Sequence, residues 1–203
     1  MSPSLFSKKP VKPPQYITIV SGLPRSGTSM MIQMLKVGGI EPVTDNLRLA
    51  DESNPKGYYE FERVKKLKDG DTQWVKSATG KSVKVISALL DGLPPGYQYR
   101  IVFMQRNMDE ILASQKQMLI SRGEPADRVS DEQLAEIFLK HLQKTAAWLA
   151  GQPNMQVLYI NYNDMLKDPS PSMKQVNQFL DGKLNVEEMA GVIDKNLYRQ
   201  RKS

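Results

Sequence analysis

The chain has 203 residues, of which 40% are hydrophobic and 25% charged, and this fits one globular domain with a full hydrophobic core. It contains no cysteine and one histidine, His141, which excludes disulfides, thiolate chemistry and a multi-histidine metal site. The net charge of +6 suits an anionic ligand without separating nucleic acid, acidic lipid and small phosphates.

The N-terminal residues differ in composition from the rest of the chain. Residues 1–15 carry four prolines and three lysines, which predicts a flexible basic arm followed by one folded domain over 16–203. No apolar run approaches the roughly 18 residues that span a bilayer, and the N-terminus lacks the apolar stretch of a secretion signal. We therefore expect a cytoplasmic protein that binds no membrane.

Predicted strands and helices alternate along the domain. Apolar runs of β-type residues indicate strands, and apolar residues at helical spacing indicate helices. The alternation predicts an α/β fold of three layers, with helices on both faces of a central parallel sheet and a ligand at the carboxyl ends of the strands. The predicted elements are strand 16–21, loop 22–28, helix 29–37, a polar segment to about 80, strand 82–86, strand 99–104, helices from Asn107 and Ser130, strand 155–160, and short helices from Asn163 and Ser170.

Two helix starts carry capping signals. Asn107 followed three residues later by Glu110 predicts a capping box, and Ser130 caps the longest helix. His141 lies on the apolar stripe of that helix, a position that favours packing over a role as catalytic base.

The stretch "ITIVSGLPRSGTSM" has the form of a P-loop, a phosphate-binding loop between a strand and a helix. Backbone N–H groups of such a loop converge on phosphate, and the helix N-terminus adds partial positive charge. A nucleoside triphosphatase loop would have lysine at position 28, where this chain has Thr28, and the one basic side chain of the loop is Arg25. An ordinary strand-to-helix turn is the alternative. The candidate ligand-binding residues are Gly22, Pro24, Arg25, Ser26, Gly27, Thr28 and Ser29.

The strand ends lack the carboxylate of a magnesium site. Kinases and ATPases typically hold Mg²⁺ with the loop Ser/Thr and an Asp at the end of another strand. Here "YRIVFM" is followed by Gln105 and "MQVLYI" by Asn161. The missing lysine and the missing carboxylate both favour a metal-free transfer.

Three stretches together resemble a known family. "GLPRSGTSM", "YRIVFMQRNMDEILASQ" and "VLYINYNDMLKDP", spread between about 17 and 180, are similar to signature segments of sulfotransferases that use 3′-phosphoadenosine 5′-phosphosulfate (PAPS). The resemblance implies that the loop binds the 5′-phosphosulfate and that Arg106 and Ser114 hold the 3′-phosphate. It also implies that Arg25 stabilises charge in the transition state. Arg106 could instead pair with Asp109 or Glu110.

The resemblance is incomplete at the catalytic base and at the C-terminus. Small-molecule sulfotransferases have a "K-T-H" segment in this region. This chain has Lys84 there, but Ile86 and Ser87 stand where the histidine would fall. Asp45 and Glu60 are the candidate carboxylate bases, and a transfer without a base is the alternative. The family's glycine-rich C-terminal loop has no match, and Arg199 is the candidate substitute.

These features predict a sulfotransferase that moves a sulfuryl group from PAPS to a hydroxyl or amine acceptor without a metal. The expected partners are this nucleotide donor and an unidentified small acceptor, with no nucleic acid. Two other functions stay open. One is a non-catalytic module that binds adenosine 3′,5′-bisphosphate, and the other is a small-molecule kinase on a P-loop scaffold.

Overall fold

The centre of the fold is a sheet of four parallel strands. The structure is a computed structural model that describes residues 15–45, 47 and 57–193. The strands are β1 (Ile17–Gly22), β2 (Ser82–Lys84), β3 (Tyr99–Gln105) and β4 (Met155–Asn161), in the order β2-β1-β3-β4. The chain leaves β1 for β2 on one side and then crosses to β3 on the other. The carboxyl ends of β1 and β3 therefore form the crevice where open α/β sheets bind ligands.

Six α-helices and three 3₁₀ helices surround the sheet in the described ranges. The 3₁₀ helices span Glu62–Asp69, Gln73–Ala78 and Ser87–Gly92. The α-helices are α1 (Thr28–Val37), α2 (Met108–Ser121), α3 (Asp131–Ala150), α4 (Tyr162–Lys167), α5 (Pro169–Phe179) and α6 (Val186–Gly191). None of the helices in these ranges is both long and apolar enough to cross a bilayer.

Two hydrophobic cores lie on opposite faces of the sheet. Successive strand residues point to opposite faces, so Ile19 enters one core and Val20 the other. The first core is closed by the 3₁₀ helices and by Leu149 of α3, and the second by α1, α4, α5 and α6. The predicted three-layer α/β fold with a parallel sheet is thus confirmed.

The predicted polar segment before residue 80 contains more structure than the sequence pattern suggested. Two of the 3₁₀ helices contribute buried side chains to the core, namely Val64 and Leu67 from the first helix and Trp74 from the second. The charged residues of the first helix lie between these positions and face solvent, which is why the segment looks polar in the sequence. The strand predicted over 82–86 ends at Lys84, although the Val85 N–H still donates to the Val20 carbonyl at 3.0 Å. Residues 1–14 of the predicted arm and Arg199 lie outside the described residues.

One capping prediction was half wrong. Asn107 does cap α2, accepting hydrogen bonds from the N–H groups of Asp109 and Glu110. The Glu110 carboxylate does not return to the cap and binds Arg106 instead, because a buried cation is the stronger partner. Ser130 caps α3 as predicted.

Candidate active site

The glycine loop connects β1 to α1 at the crevice between β1 and β3. Gly22 has φ 144° and lies so close to β3 that a Cβ atom would stand 2.6 Å from the Met104 carbonyl oxygen. Gly27 has φ 96°, and a Cβ atom there would stand 2.3 Å from the Tyr162 ring. Both positions therefore require glycine. The N-cap residue of α1 is Gly27, which has no side chain that could cap the first N–H groups of the helix.

The other candidate residues of the loop either brace the turn or begin α1. The Ser26 hydroxyl is buried and donates to the Leu23 carbonyl at 2.7 Å, so this side chain braces the turn. Pro24 is half-buried, and Thr28 is buried in the first turn of α1. Ser29 follows Thr28 and is half-buried.

Arg25, Arg106 and Ser114 come together at this crevice from three different elements. Arg25 has φ 68°, a left-handed conformation that is uncommon outside glycine. Its Nε donates to Ser114 Oγ of α2 at 2.9 Å, and its carbonyl accepts from Arg106 at 3.0 Å. The structure therefore brings together the three polar side chains that the two signature segments contributed.

Arg106 sits in a buried ion pair. Its Nε donates to a Glu110 carboxylate oxygen at 3.0 Å, and the two side chains are 8% and 4% exposed. Asn163 of α4 donates to the same carboxylate at 2.9 Å, and the guanidinium lies 4.7 Å from the centre of the Tyr162 ring. Burial raises the pKa of Tyr162, against an opposing effect of Arg106. Of the two acidic residues considered as partners of Arg106, Glu110 forms this pair, while Asp109 is exposed.

Lys84, which the sequence indicated only as the lysine of the incomplete "K-T-H" match and not as a candidate site residue, lies at the site. Its Nζ donates to the Tyr58 carbonyl at 2.7 Å and lies 3.4 Å from Ser29 Oγ and 3.2 Å from a Glu60 carboxylate oxygen. The Lys84 side chain is only 8% exposed. The sequence contained a signal for this position, because Lys84 ends a predicted strand and the carboxyl ends of parallel strands meet at one edge of the sheet.

The two candidate bases lie in different surroundings. Glu60 pairs with Lys84, which touches the first turn of α1. The Asp45 carboxylate accepts backbone N–H groups from Leu47 at 3.1 Å and Glu62 at 2.6 Å. Asp45 thereby anchors the start of the first 3₁₀ helix.

His141 lies on the first-core side of the fold. Its Nε2 is 2.8 Å from Ser87 Oγ, which is buried, and 3.4 Å from Thr145 Oγ1. Burial lowers the pKa of His141, with a smaller effect of Lys68 in the same direction and an opposing one of Asp91. The imidazole is thus built into a contact between α3 and the third 3₁₀ helix.

Metal ligands do not cluster in the described part of the chain. Across residues 15–45, 47 and 57–193, no group of three or more His, Asp or Glu side chains could hold an ion. Gln105 and Asn161 end β3 and β4, and the Asn161 side chain caps α4.

A parallel sheet with a glycine loop after β1 and the basic side chains of Arg25, Lys84 and Arg106 near its carboxyl edge is an arrangement typical of α/β proteins that bind phosphate-bearing ligands. The family model described as "Sulfotransferase domain" matches residues 17–203, and the chain belongs to this family. A comparison with curated proteins gave no significant match.

Solved structures share the fold. A sulfotransferase from Mycobacterium tuberculosis superposes with a TM-score of 0.58 at 15% identity, over 88% of this chain and 70% of that one. The sulfotransferase domain of a Synechococcus olefin synthase gives 0.52 at 14% identity, over 97% and 83%. A mouse sulfotransferase complexed with PAP gives 0.51 at 20% identity, over 88% and 62%. These similarities support the fold assignment.

Proposed function

We propose that this member of the sulfotransferase family takes a sulfuryl group from PAPS and transfers it to a hydroxyl or amine acceptor. One observation carries the proposal: Arg25, Ser114 and Arg106 converge where the glycine loop meets the end of β3. A loop built around arginine, with threonine at position 28, suits a donor that needs no magnesium.

The residues present fit such a donor. The backbone of the loop and the N-terminus of α1 supply N–H groups for the 5′-phosphosulfate, with Thr28 and Ser29 as hydroxyl donors. Lys84 adds a positive charge beside Ser29. The Arg106 guanidinium, a planar group suited to phosphate, is the ligand for the 3′-phosphate. Gly22 and Gly27 let the loop pack directly against Met104 and Tyr162.

The transfer itself is an in-line displacement. The acceptor oxygen or nitrogen attacks sulfur while the bond from sulfur to the 5′-phosphate oxygen breaks, and the electron pair of that bond leaves with the phosphate. Negative charge therefore grows on the bridging oxygen. A preorganised donor at that oxygen contributes about 3–4 kcal/mol to the barrier reduction. We assign this role to Arg25, because Ser114 holds its guanidinium.

The proton of the acceptor passes to a carboxylate. Glu60 is the better candidate of the two, because its partner Lys84 also touches the first turn of α1. The Asp45 carboxylate is committed to backbone N–H groups of residues 47 and 62. His141 is held by Ser87 and Thr145. Gln105 and Asn161, amides where a magnesium site would have carboxylates, are consistent with metal-free chemistry.

Ligand-dependent thermal unfolding tests the donor. We expect adenosine 3′,5′-bisphosphate at 100 times its Kd to add about 2.7 kcal/mol, which raises Tm by roughly 5–10 °C at this chain length. ADP with Mg²⁺ is the comparison. A shift with ADP and Mg²⁺ alone would contradict the donor and favour a kinase.

Turnover separates catalysis from binding alone. With PAPS and a panel of phenols, alcohols and amines, an enzyme releases adenosine 3′,5′-bisphosphate at a rate that depends on the acceptor. Binding of the bisphosphate without acceptor-dependent release across the panel would favour the non-catalytic module.

A further inference from the structure

A buried carboxylate stands behind the arginine that we assign to the 3′-phosphate. Glu110 accepts from Arg106 Nε at 3.0 Å, and the Asn163 amide donates to both of its oxygens at 2.9 Å. Asn163 Oδ1 in turn accepts from the Asn107 N–H at 3.1 Å. The carboxylate is thus fixed between the β3–α2 and β4–α4 junctions.

The same arginine holds the glycine loop. Its NH1 donates to the carbonyl of Arg25, a residue in the left-handed conformation. Residues in sparsely populated backbone conformations persist where surrounding contacts determine them. Arg106 provides one such contact, and the Arg25 to Ser114 hydrogen bond provides another. The orientation of Arg106 therefore bears on the loop as well as on the end of β3.

We propose that Glu110 is the positioning residue for Arg106, fixing its guanidinium so that it engages the 3′-phosphate and the Arg25 backbone together. The inference deepens the proposed function and rests on it. Because Glu110 occupies Nε, it fixes the plane of the guanidinium. Its charge also offsets the repulsion between Arg106 and Arg25, two cations that stand close together around Tyr162. Asn163 completes the arrangement by holding the carboxylate.

The test uses Glu110→Gln, which keeps the shape of the side chain and removes its charge. Titration calorimetry measures the Kd of adenosine 3′,5′-bisphosphate and of adenosine 5′-monophosphate, which lacks the 3′-phosphate. We expect Glu110→Gln to raise the Kd of the bisphosphate about tenfold, within the usual range for residues in direct contact, and to affect the monophosphate much less. In an Arg106→Ala background the same substitution should have little effect, because the group that Glu110 positions is gone.

Asp109→Asn is the matched control, because it makes the same charge change one residue earlier at an exposed position of the same helix turn. It should retain the wild-type preference for the bisphosphate. Thermal unfolding checks that each variant folds. If Glu110→Gln does not fold, Asn163→Ala takes its place and should lower the preference in the same direction, to a smaller extent.

The outcomes separate this inference from the proposed function. A wild-type protein that binds both nucleotides equally would overturn the donor assignment and the inference together. A wild-type preference that survives Glu110→Gln, or an equal loss for both nucleotides, would overturn the positioning role alone. A tenfold loss that persists without Arg106 would show that Glu110 acts through the general fold.

Discussion

Arg25 and Ser114 lie 89 positions apart in the sequence, and the Arg25 Nε donates to the Ser114 hydroxyl at 2.9 Å. The resemblance to sulfotransferases assigned Ser114 to the 3′-phosphate. The structure adds a second role, because this hydroxyl orients the one basic side chain of the loop. In the proposed function, recognition of the nucleotide and placement of the catalytic charge therefore share Ser114.

Arg25→Ala should lower kcat more than it raises KM. In the proposed mechanism the guanidinium stabilises charge that develops during the transfer, and losing one such donor typically costs about 10²–10³ in kcat. Ser114→Ala should lower kcat less, because Arg25 remains but loses its orientation. Steady-state kinetics with PAPS and an accepted acceptor measures both. Arg122→Ala, which removes an exposed arginine at the end of α2, is the control. A normal kcat in Arg25→Ala would remove this residue from the mechanism.

The two candidate bases should respond differently to the same amide substitution. Glu60→Gln removes the proton acceptor beside Lys84, and we expect kcat to fall by about 10²-fold. Asp45→Asn weakens an acceptor of backbone N–H groups, so it should mainly lower the free energy of unfolding, by about 1 kcal/mol. Kinetics and denaturant unfolding on both variants separate the roles. A larger loss of kcat in Asp45→Asn than in Glu60→Gln would reverse the assignment.

The loop glycine Gly27 should tolerate no side chain. Gly27→Ala combines a left-handed backbone with a clash against Tyr162, and we expect a loss of about 2–5 kcal/mol in the free energy of unfolding. Gly39 has a similar φ of 107° and open space where its Cβ atom would lie. Gly39→Ala should therefore cost only the backbone term, about 1–2 kcal/mol. Equal losses in the two variants, measured by denaturant unfolding, would show that the Tyr162 contact carries no energy.

The sequence was informative where local pattern and structure agree. The glycine loop, the four strands and the parallel sheet follow from apolar runs and turn residues, which are local signals. Of the partners of the site residues, the sequence offered only Glu110 for Arg106, as one of two alternatives. Glu110 satisfied a local capping rule, yet the buried Arg106 took its carboxylate. Lys84 acquires its role from Tyr58 and Glu60, which the folded chain brings from more than 20 residues away.

His141 should make the stability of the protein depend on pH near neutrality. Burial among Ser87, Thr145 and the core lowers its pKa in the folded state, and Lys68 acts in the same direction against Asp91. Between that lowered pKa and the unfolded value of about 6.5, the unfolded chain binds more protons than the folded one. The free energy of unfolding should therefore rise with pH through this window and fall as the solution is acidified.

His141→Gln should flatten this dependence, because glutamine can bond to Ser87 without titrating. Denaturant unfolding between about pH 5.5 and 8 covers the histidine while leaving most carboxylates ionised. Lys140→Gln, on the exposed side of α3 one residue earlier, changes a charge that does not titrate in this range and should keep the wild-type slope. Because His141 is the only histidine in the chain, an unchanged slope in His141→Gln would show that the imidazole has the same pKa in both states. That result would contradict the buried environment that Ser87 and Thr145 form around it.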